Sequence, residues 1–463
     1  MSPCAYAPMS LCAHEPVSLV RCAPLMALAF TNEERHPMVE ALLRTRVPRW
    51  EELDRAIDER DDMLDFAVQM FDRDRDVALT SYFQNGLEQF EVVKRIAAWR
   101  PSHPRRMLDF ASGYGRLTRF VVHQHLADEI TVSDILEGGM AFQARQFGVR
   151  TILSTTRPDD FAAPSKYDLI FVASLFTHLP PATFTPWLRR LATLLEPEGL
   201  LLFSVHDESI APAKVEDGIS FKTYSESRVL DAEDYGSTWV TESFVREQIA
   251  SIDPGFACVR LPRALSDWQD LYVVSPSSIS GTFHRTPKGF IERCEITEEG
   301  VRFTGWATSI DEEVDRVEVR IDDSVVATTR DFLPRADVAA AHQSDAATNS
   351  AFSVVVPHTA VRSFRYQTAT VSAFSRANIE RILFLGTIDS ATGFAAKERA
   401  RVIEQNMERA AGIIRDLEHR NAVLDHQRAE LEATIAAMKQ SRFWKARERW
   451  FAVKRGVGWT EEE

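Results

Sequence analysis

The sequence lacks the features that mark several classes of protein. Its 463 residues include only five cysteines, and none are spaced as C-x-x-C, so the sequence favours neither a disulfide scaffold nor a zinc or redox motif. No apolar run approaches the roughly 18 residues of a membrane-spanning helix, so we expect no integral membrane protein. The 54 basic residues are outnumbered by 68 acidic ones, and this balance argues against a nucleic-acid partner.

The N-terminal stretch has only a weak targeting signal. An apolar run at residues 22–30 follows Arg21 and faintly resembles an export signal, but it is short and Pro24 interrupts it. We therefore expect residues 1–37 to be a disordered extension and the protein to lie in the reducing cytoplasm.

Residues 33–100 are highly charged and carry two helical stripes of apolar residues. The first stripe predicts an amphipathic helix and consists of Trp50, Leu53, Ile57, Leu64, Ala67 and Phe71. The second stripe predicts another such helix and consists of Phe83, Leu87, Phe90, Val93 and Ala97. We expect these helices to cap the domain that follows.

Short apolar runs alternate with helical segments over residues 106–275. The predicted strands are 106–110, 129–133, 149–153, 167–173 and 200–205, and segments 115–125 and 183–195 between them are helical. This alternation predicts a parallel sheet that is covered on both faces. Two later runs, 257–261 and 270–274, are expected to form antiparallel strands at the end of the sheet.

Residues 284–390 change to a β pattern. Runs rich in β-branched residues occur at 301–307, 317–321, 324–328, 351–356 and 368–374. The pair Asp322-Asp323 separates two of these runs and is typical of a hairpin turn. Helical patterns are nearly absent, so the sequence predicts a small all-β sandwich.

A heptad repeat occupies residues 395–440. One repeat position holds Ala400, Met407, Ile414, Asn421, Arg428 and Ile435. The position three residues later holds only apolar residues, which are Ile403, Ala410, Leu417, Leu424, Leu431 and Met438. This repeat predicts a coiled coil that pairs two copies of the chain, whereas a single helix packed on its own chain is the alternative.

The tail at residues 441–463 is basic and aromatic. Phe443 and Trp450 are seven residues apart, as are Trp444 and Phe451, so all four share one helical face. Such a helix can lie on an anionic membrane surface or pack against a partner helix.

The most informative motif lies at residues 107–118. A predicted strand ends near Asp109, and the glycines Gly113 and Gly115 follow in a turn that leads into a helix. Glycine lets the backbone approach a ligand closely at such a turn. Thr118 stands where the NAD-binding fingerprint requires its third glycine, so the sequence does not fit that fingerprint. A second kind of cofactor-binding loop has an acidic residue four positions before this glycine, and Asp109 occupies that position before Gly113.

This stretch resembles the class I S-adenosylmethionine-dependent methyltransferases, whose pattern is an apolar strand, D-x-G-x-G-x-G and a helix. The resemblance covers about residues 82–275 and implies an α/β fold with a Rossmann-like seven-stranded sheet. Ala111 stands where the first glycine usually stands. Alanine fits there if its φ angle is negative, and on that condition the departure weakens the match only slightly.

The resemblance also implies a set of residues that bind S-adenosylmethionine. Asp134 ends the second strand and would accept hydrogen bonds from the ribose, and Ile135 would lie against the adenine. The complete cofactor-binding set is Asp109, Ala111, Gly113, Gly115, Asp134, Ile135 and Ser174. The alternatives are that the glycines serve only the turn and that Asp134 caps a helix.

Two histidines are candidate catalytic residues. His178 follows the fourth strand and His206 lies just past the fifth, at the edge where ligands bind in open α/β sheets. Either can act as the general base for a hydroxyl acceptor, with Asp207 assisting His206, or can be a packing residue. No cluster has the spacing of metal ligands, so we expect no metal.

The tail resembles tails that follow coiled coils in bacterial glycosyltransferases of surface-polysaccharide assembly. We therefore predict an S-adenosylmethionine-dependent O-methyltransferase of a bacterial surface glycan, located in the cytoplasm or peripherally at the inner membrane. Its predicted catalytic domain spans residues 38–280, and the all-β region would hold the sugar. The alternatives are a methyltransferase of a small metabolite and a coiled-coil scaffold with a vestigial cofactor site.

Overall fold

The computed structural model describes most of the chain. The described residues are 29–71, 74–223, 230–309, 312–342, 344–392, 417, 420–421, 423–424, 426–429 and 431–456. Residues up to 392 belong to one compact unit and the later residues to a second. Among the described helices, none has the length and apolar character needed to cross a bilayer.

The predicted N-terminal extension lies outside the described residues as far as residue 28. Phe30 is already buried, and its backbone pairs with that of Ile57. The packed part of the chain therefore begins before the predicted boundary at residue 37.

Among the described residues, three α-helices precede the first strand, and they are α1 (Pro37–Arg46), α2 (Asp62–Met70) and α3 (Arg75–Ala97). The second predicted stripe is confirmed, since all five of its residues are buried in α3. The first predicted helix is wrong in its first half, because α2 begins only at Asp62. The Asp54 and Asp58 carboxylates accept hydrogen bonds from backbone N–H groups two residues later, and such local bonds compete with the helical ones.

Residues 106–275 form a mixed α/β layer structure around one sheet. Its strands are β1 (Arg106–Phe110), β2 (Glu129–Asp134), β3 (Arg150–Leu153), β4 (Tyr167–Val172), β5 (Leu195–Asp207), β6 (Ile219–Lys222), β7 (Ser237–Val240), β8 (Ala257–Leu265) and β9 (Gln269–Ser275). Its helices are α4 (Thr118–His123), α5 (Glu137–Phe147), α6 (Pro181–Ala192) and α7 (Glu242–Ile252). The order β3-β2-β1-β4-β5 is parallel, as the alternating sequence pattern predicts.

Both faces of the sheet are covered. Met107 and Leu169 point into a core shared with α1, α2 and α3, whereas their neighbours Leu108 and Ile170 point into a core shared with α6 and α7. Burial on both faces explains why these strands are almost continuously apolar.

The sheet has nine strands rather than the seven implied by the resemblance. The reason lies in β5, which is 13 residues long. Strand β9 pairs antiparallel with residues 201–205 of β5. Strand β7 pairs in parallel with the next two residues of β5, His206 and Asp207. Strands β7 and β9 therefore meet beside the end of β5, and β6 adds to β7.

Residues 288–387, here called the β-module, form two antiparallel four-stranded sheets. The strands are β10 (Lys288–Ile296), β11 (Gly300–Thr308), β12 (Val314–Ile321), β13 (Ser324–Thr329), β14 (Leu333–Pro334), β15 (Asn349–Pro357), β16 (Thr368–Ser375) and β17 (Glu380–Thr387). The sheet orders are β10-β11-β15-β14 and β13-β12-β16-β17, and side chains of both sheets share one apolar core. The region is not free of helix, because α8 (Ala336–His342) lies between β14 and β15.

The β-module packs against the α/β part of the same unit through ion pairs. Arg381 on β17 bonds to Glu88 on α3 at 2.8 Å and to Asp267 between β8 and β9 at 2.5 Å. Glu380 pairs with Arg46 on α1. These groups are less than one-fifth exposed, so the contact is a packed interface.

The second unit is helical in its described residues except Ser441, which forms a bend. Within the predicted coiled coil, described residues from 417 to 440 are helical, and the stretch 395–416 lies outside the described residues. Leu417, Leu424, Leu431 and Met438 are each more than half exposed. Helix α9 (Arg442–Gly456) follows.

Candidate active site

The glycine turn follows β1 at the carboxyl edge of the sheet. Asp109 is buried near the end of β1, and its Oδ2 accepts a hydrogen bond from the Thr118 hydroxyl at 2.9 Å. Burial raises the pKa of Asp109 to about 7. The carboxyl group thereby fixes the first residue of α4 behind the turn.

Ala111 has a backbone conformation that is unfavourable for alanine. Its φ is +58°, so the condition under which alanine fits this position, a negative φ, is not met. The chain leaves β1 at this residue, and the next N–H, that of Ser112, still bonds to the carbonyl of Ser133 on β2 at 3.2 Å. A left-handed alanine is strained because its Cβ lies close to the following carbonyl oxygen.

Replacing this alanine by glycine is expected to stabilise the protein. Glycine adopts a positive φ without the steric cost, which is about 1 kcal/mol, although it also increases the entropy of the unfolded chain. We expect Ala111→Gly to raise the free energy of unfolding by about 0.5–1 kcal/mol in urea titrations. The control Gly148→Ala makes the opposite substitution at another left-handed position, where φ is +66°, and it should lower the free energy of unfolding. A destabilised Ala111→Gly variant would contradict the strain.

The two glycines of the turn have different surroundings. Gly115 has φ of +81°, and a Cβ built there would lie 2.6 Å from the Phe147 ring, so only glycine fits against α5. Gly113 has φ of +55°, and a Cβ built there would meet nothing within 4 Å. The Gln143 amide of α5 holds the turn by donating to the Gly113 carbonyl at 2.9 Å. The turn is therefore packed on one side and open at Gly113.

Asp134 at the end of β2 completes a cradle with this turn. Its Oδ2 accepts the N–H of Gly113 at 2.8 Å, and its Oδ1 accepts the N–H of Leu136 at 3.0 Å. Burial raises the pKa of Asp134 above its usual value, and the backbone hydrogen bonds offset only part of this rise. Asp134 does not cap α5, because the N-cap position of that helix is Leu136. Ile135 lies beside it and is half-buried.

The cradle fits the ribose of a nucleoside cofactor. A carboxylate has about four acceptor positions, and the backbone N–H groups of Gly113, Leu136 and Ile135 leave at least one of those on Asp134 for a ligand. The open side of Gly113 leaves room for a ligand to approach the backbone.

Ser174 lies just after β4 at the same edge of the sheet. It also has a positive φ, of +58°, and its N–H donates to the Ser204 hydroxyl at 2.8 Å. Its own hydroxyl contacts the Gln269 amide at 2.9 Å, so this side chain is directed towards β9. Its predicted cofactor contact remains a prediction.

The structure brings the two predicted histidines together. The ring centroids of His178 and His206 are 6.4 Å apart. His178 Nδ1 donates to the carbonyl of Gly236 at 2.7 Å, which leaves its Nε2 with a lone pair, and its ring stacks on Tyr235 at 4.4 Å.

Both histidines are uncharged at neutral pH. Burial lowers the pKa of His178 to about 4 and that of His206 to about 3. His206 is the next-to-last residue of β5 rather than beyond the strand, and it is 5% exposed. Its Nδ1 is buried and has no hydrogen-bond partner among the described residues.

Asp207 does not assist His206. Its Oδ2 pairs with Arg260 at 2.7 Å, and its Oδ1 accepts the N–H of Ser209 at 2.9 Å. Arg260 also bonds to Glu242 and Asp270, so the carboxylate of Asp207 belongs to an ionic network. The predicted histidine–aspartate pair is therefore wrong.

Two tryptophans that the sequence pattern did not predict flank His206. The ring centroids of Trp239 on β7 and Trp268 before β9 lie 6.2 Å and 6.4 Å from that of His206. Trp239 Nε1 is buried without a hydrogen-bond partner among the described residues. The position of Trp268 could have been predicted from the antiparallel strand expected at residue 270. Such a strand begins at the edge where the parallel strands end, so the residue before it lies near the end of β5.

One protein family matches a stretch of the α/β part of the chain. Residues 108–201 match the family described as a methyltransferase domain. No curated protein matches the chain.

Several solved structures are similar to less than half of the chain. The DhpI–SAH complex is 17% identical and covers 46% of this chain and 95% of its own, with a TM-score of 0.32. The 1,6-didemethyltoxoflavin-N1-methyltransferase of Burkholderia thailandensis is 18% identical and covers 46% and 86%, with a TM-score of 0.31. CalS10, an amino pentose methyltransferase from Micromonospora echinaspora, is 16% identical and covers 42% and 92%, with a TM-score of 0.31.

Proposed function

We propose that this S-adenosylmethionine-dependent methyltransferase methylates a hydroxyl group of a bacterial glycan. The observation that carries the proposal is a pair of buried polar atoms without partners among the described residues, the His206 Nδ1 acceptor and the Trp239 Nε1 donor. Buried polar atoms without partners are costly, so their presence on two neighbouring rings calls for an explanation. A hydroxyl group both donates and accepts hydrogen bonds, so it has the chemistry to pair with either atom.

The His206 ring is uncharged and is therefore available to accept a hydroxyl proton. Burial keeps the pKa of this imidazole near 3, so the ring is unprotonated when the acceptor arrives. His206 then acts as the general base, and the proton passes to Nδ1. His178, fixed by the Gly236 carbonyl, lies beside it and holds the acceptor in place.

S-adenosylmethionine supplies an activated methyl group, because its sulfonium sulfur is a good leaving group. Asp134 would accept hydrogen bonds from the ribose hydroxyls, and the backbone at Gly113 would lie against the bound cofactor. Ile135 would lie against the adenine. The protein's remaining task is to align the acceptor oxygen and to exclude water.

Aromatic rings around the histidines support a sugar as the acceptor. Tyr235 and Trp268 are partly exposed, and Trp239 is buried behind His206. The C–H faces of a sugar ring pack on flat aromatic surfaces, while its hydroxyls reach the polar atoms at the edges. The β-module, which is packed against the α/β part, would extend the binding surface for a longer glycan.

Incubation of the protein with radiolabelled S-adenosylmethionine and a bacterial lysate polysaccharide fraction tests this proposal. We expect label in the high-molecular-weight fraction that is stable to mild base, as a methyl ether is. Label confined to small molecules would overturn the glycan assignment. Absence of S-adenosylmethionine binding in calorimetry would instead indicate a scaffold with a vestigial site.

The second unit supports a homodimer. Apolar side chains exposed at seven-residue spacing, at Leu424 and Leu431 among others, cannot remain in water without cost, and a second copy of the helix covers them. We expect sedimentation to give twice the chain mass of 52.4 kDa. The double substitution Leu424→Glu/Leu431→Glu should give the monomer, whereas Ala433→Glu, on the opposite helical face, should remain dimeric. A wild-type monomer would contradict the coiled coil.

The tail is proposed to contact the inner membrane peripherally. Phe443 and Trp450 are 79% and 61% exposed in α9, and Arg447 lies over both the Trp444 and Phe451 rings. An exposed aromatic pair among basic residues is suited to an anionic lipid surface. Equal sedimentation with anionic and neutral vesicles would favour packing against a partner helix instead.

A further inference from the structure

The turn between β8 and β9 has an unusual backbone. Ser266 and Asp267 both have positive φ angles, of 53° and 57°, and neither is glycine. Such a conformation persists only where the surrounding structure fixes it, and strain of this kind is often found at functional sites. The side chains of residues 267–269 show what fixes this turn.

Asp267 ties the turn to the β-module. Its carboxylate bonds to Arg381 on β17 at 2.5 Å and to Lys288 at the start of β10 at 3.4 Å. All three side chains are less than one-fifth exposed. Glu88 on α3 shares Arg381, so the cation has one partner on the α/β part besides Asp267.

The next two residues reach the proposed active site. The Trp268 ring meets His206 edge to face, with an angle of 69° between the planes. The Gln269 amide contacts the hydroxyl of Ser174 after β4. Three consecutive residues thus contact the β-module, the proposed general base and the end of β4.

We propose that Asp267 is a positioning residue through which the β-module sets the acceptor side of the active site. The ion pairs of Asp267 hold the strained turn in place, and the turn holds Trp268 against His206 and Gln269 against Ser174. The β-module is then part of the working site and not only an appended surface. The significance for catalysis rests on the proposed function of His206, whereas the structural coupling stands without it.

Fluorine NMR of the full chain labelled with 5-fluorotryptophan tests the coupling. The chain has nine tryptophans, and the resonance lost in Trp268→Phe assigns Trp268. We expect Asp267→Asn to shift or broaden this resonance, because the carboxamide cannot replace the ion pairs. The control Glu313→Gln removes an exposed ion pair of the β-module with Arg376 and should leave the resonance unchanged.

A second variant guards against a failure of Asp267→Asn to fold. Arg381→Gln removes the partner on the β-module and leaves Lys288 beside Asp267, and we expect the same resonance to move. S-adenosylmethionine affinity in calorimetry should stay within about threefold of wild type for both variants, since neither residue contacts the cradle. An unchanged Trp268 resonance in a folded Asp267→Asn or Arg381→Gln variant overturns the proposal.

Kinetics separate this proposal from the proposed function. With the methylated polysaccharide fraction as acceptor, we expect Asp267→Asn to raise the acceptor KM about tenfold and to change kcat less. If no polysaccharide is methylated, the proposed function fails while the NMR result still decides the coupling. If methylation occurs and Asp267→Asn leaves the acceptor KM unchanged, the positioning role fails alone.

Discussion

Replacing His206 by asparagine is expected to lower the rate of methyl transfer to the polysaccharide acceptor by about 10²–10⁴-fold, the usual contribution of a general base. Asparagine keeps a polar acceptor atom near the position of Nδ1 but has no useful basicity. The expected loss therefore reports on proton removal and not on the cavity that a smaller residue would leave. Initial rates with radiolabelled S-adenosylmethionine at saturating acceptor measure it.

His178→Asn is the matched comparison. The ring centroids of the two imidazoles lie 6.4 Å apart, and both rings bond to backbone, His178 through Nδ1 to Gly236 and His206 to Thr238. Among the described residues, His206 Nδ1 has no hydrogen-bond partner. We expect this variant to weaken acceptor binding about tenfold and to lose much less in kcat than His206→Asn. Retention of methyl transfer within a few-fold of wild type in His206→Asn would remove His206 from the mechanism, and a larger loss in His178→Asn would make His178 the base.

The pH profile of the wild-type enzyme gives a second measure of the same group. An exposed histidine has a pKa near 6.5, and a general base of that kind loses activity below this pH. Burial lowers the pKa values of His206 and His178 to about 3 and about 4, so both stay unprotonated at pH 5. We expect kcat to remain level from pH 7.5 down to about pH 5. A decline in kcat centred near pH 6.5 would show that the general base is a solvent-exposed histidine.

The local part of this site could be predicted from the sequence. Strand β1 has its predicted bounds, and β2 ends at Asp134 as predicted. Both could be recognised because parallel strands that are buried on both faces are short, apolar runs. Asp134 and Gly113, 21 residues apart, meet because β1 and β2 are adjacent. Spacing along the sequence was sufficient here, since a βαβ unit has a fixed geometry.

The acceptor side could not be predicted in the same way. Trp239 lies on a short strand in a region without a clear periodic pattern, and it reaches His206 only because β5 extends beyond its pairing with β9. The positive φ of Ala111 could not be predicted either, because it accompanies a hydrogen bond between the next residue and β2. These features follow from pairings between distant segments, which local propensity does not encode.

Replacing Asp134 by asparagine is expected to weaken S-adenosylmethionine binding about 10²-fold. Both carboxylate oxygens already accept backbone N–H groups, from Gly113 and Leu136. A carboxamide presents one oxygen and one NH₂ group, so it must lose one of these bonds and oppose a donor with a donor. A hydrogen bond to a charged group contributes about 1.5–3 kcal/mol, and the proposed ribose hydroxyls would lose such a bond as well. Calorimetric titration of the full chain measures the affinity.

Asp168→Asn provides a matched control at the other end of the sheet. Asp168 is also a buried carboxylate that accepts two backbone N–H groups, those of Arg105 and Arg106, and it pairs with Arg100 at 2.7 Å. It lies at the start of β4, away from the edge where the glycine turn meets β2. We therefore expect Asp168→Asn to reduce the free energy of unfolding by about 2 kcal/mol but to keep the affinity for S-adenosylmethionine within threefold of wild type. An equal loss of affinity in both variants would mean that Asp134 acts only on stability, and the ribose contact would then have to be abandoned.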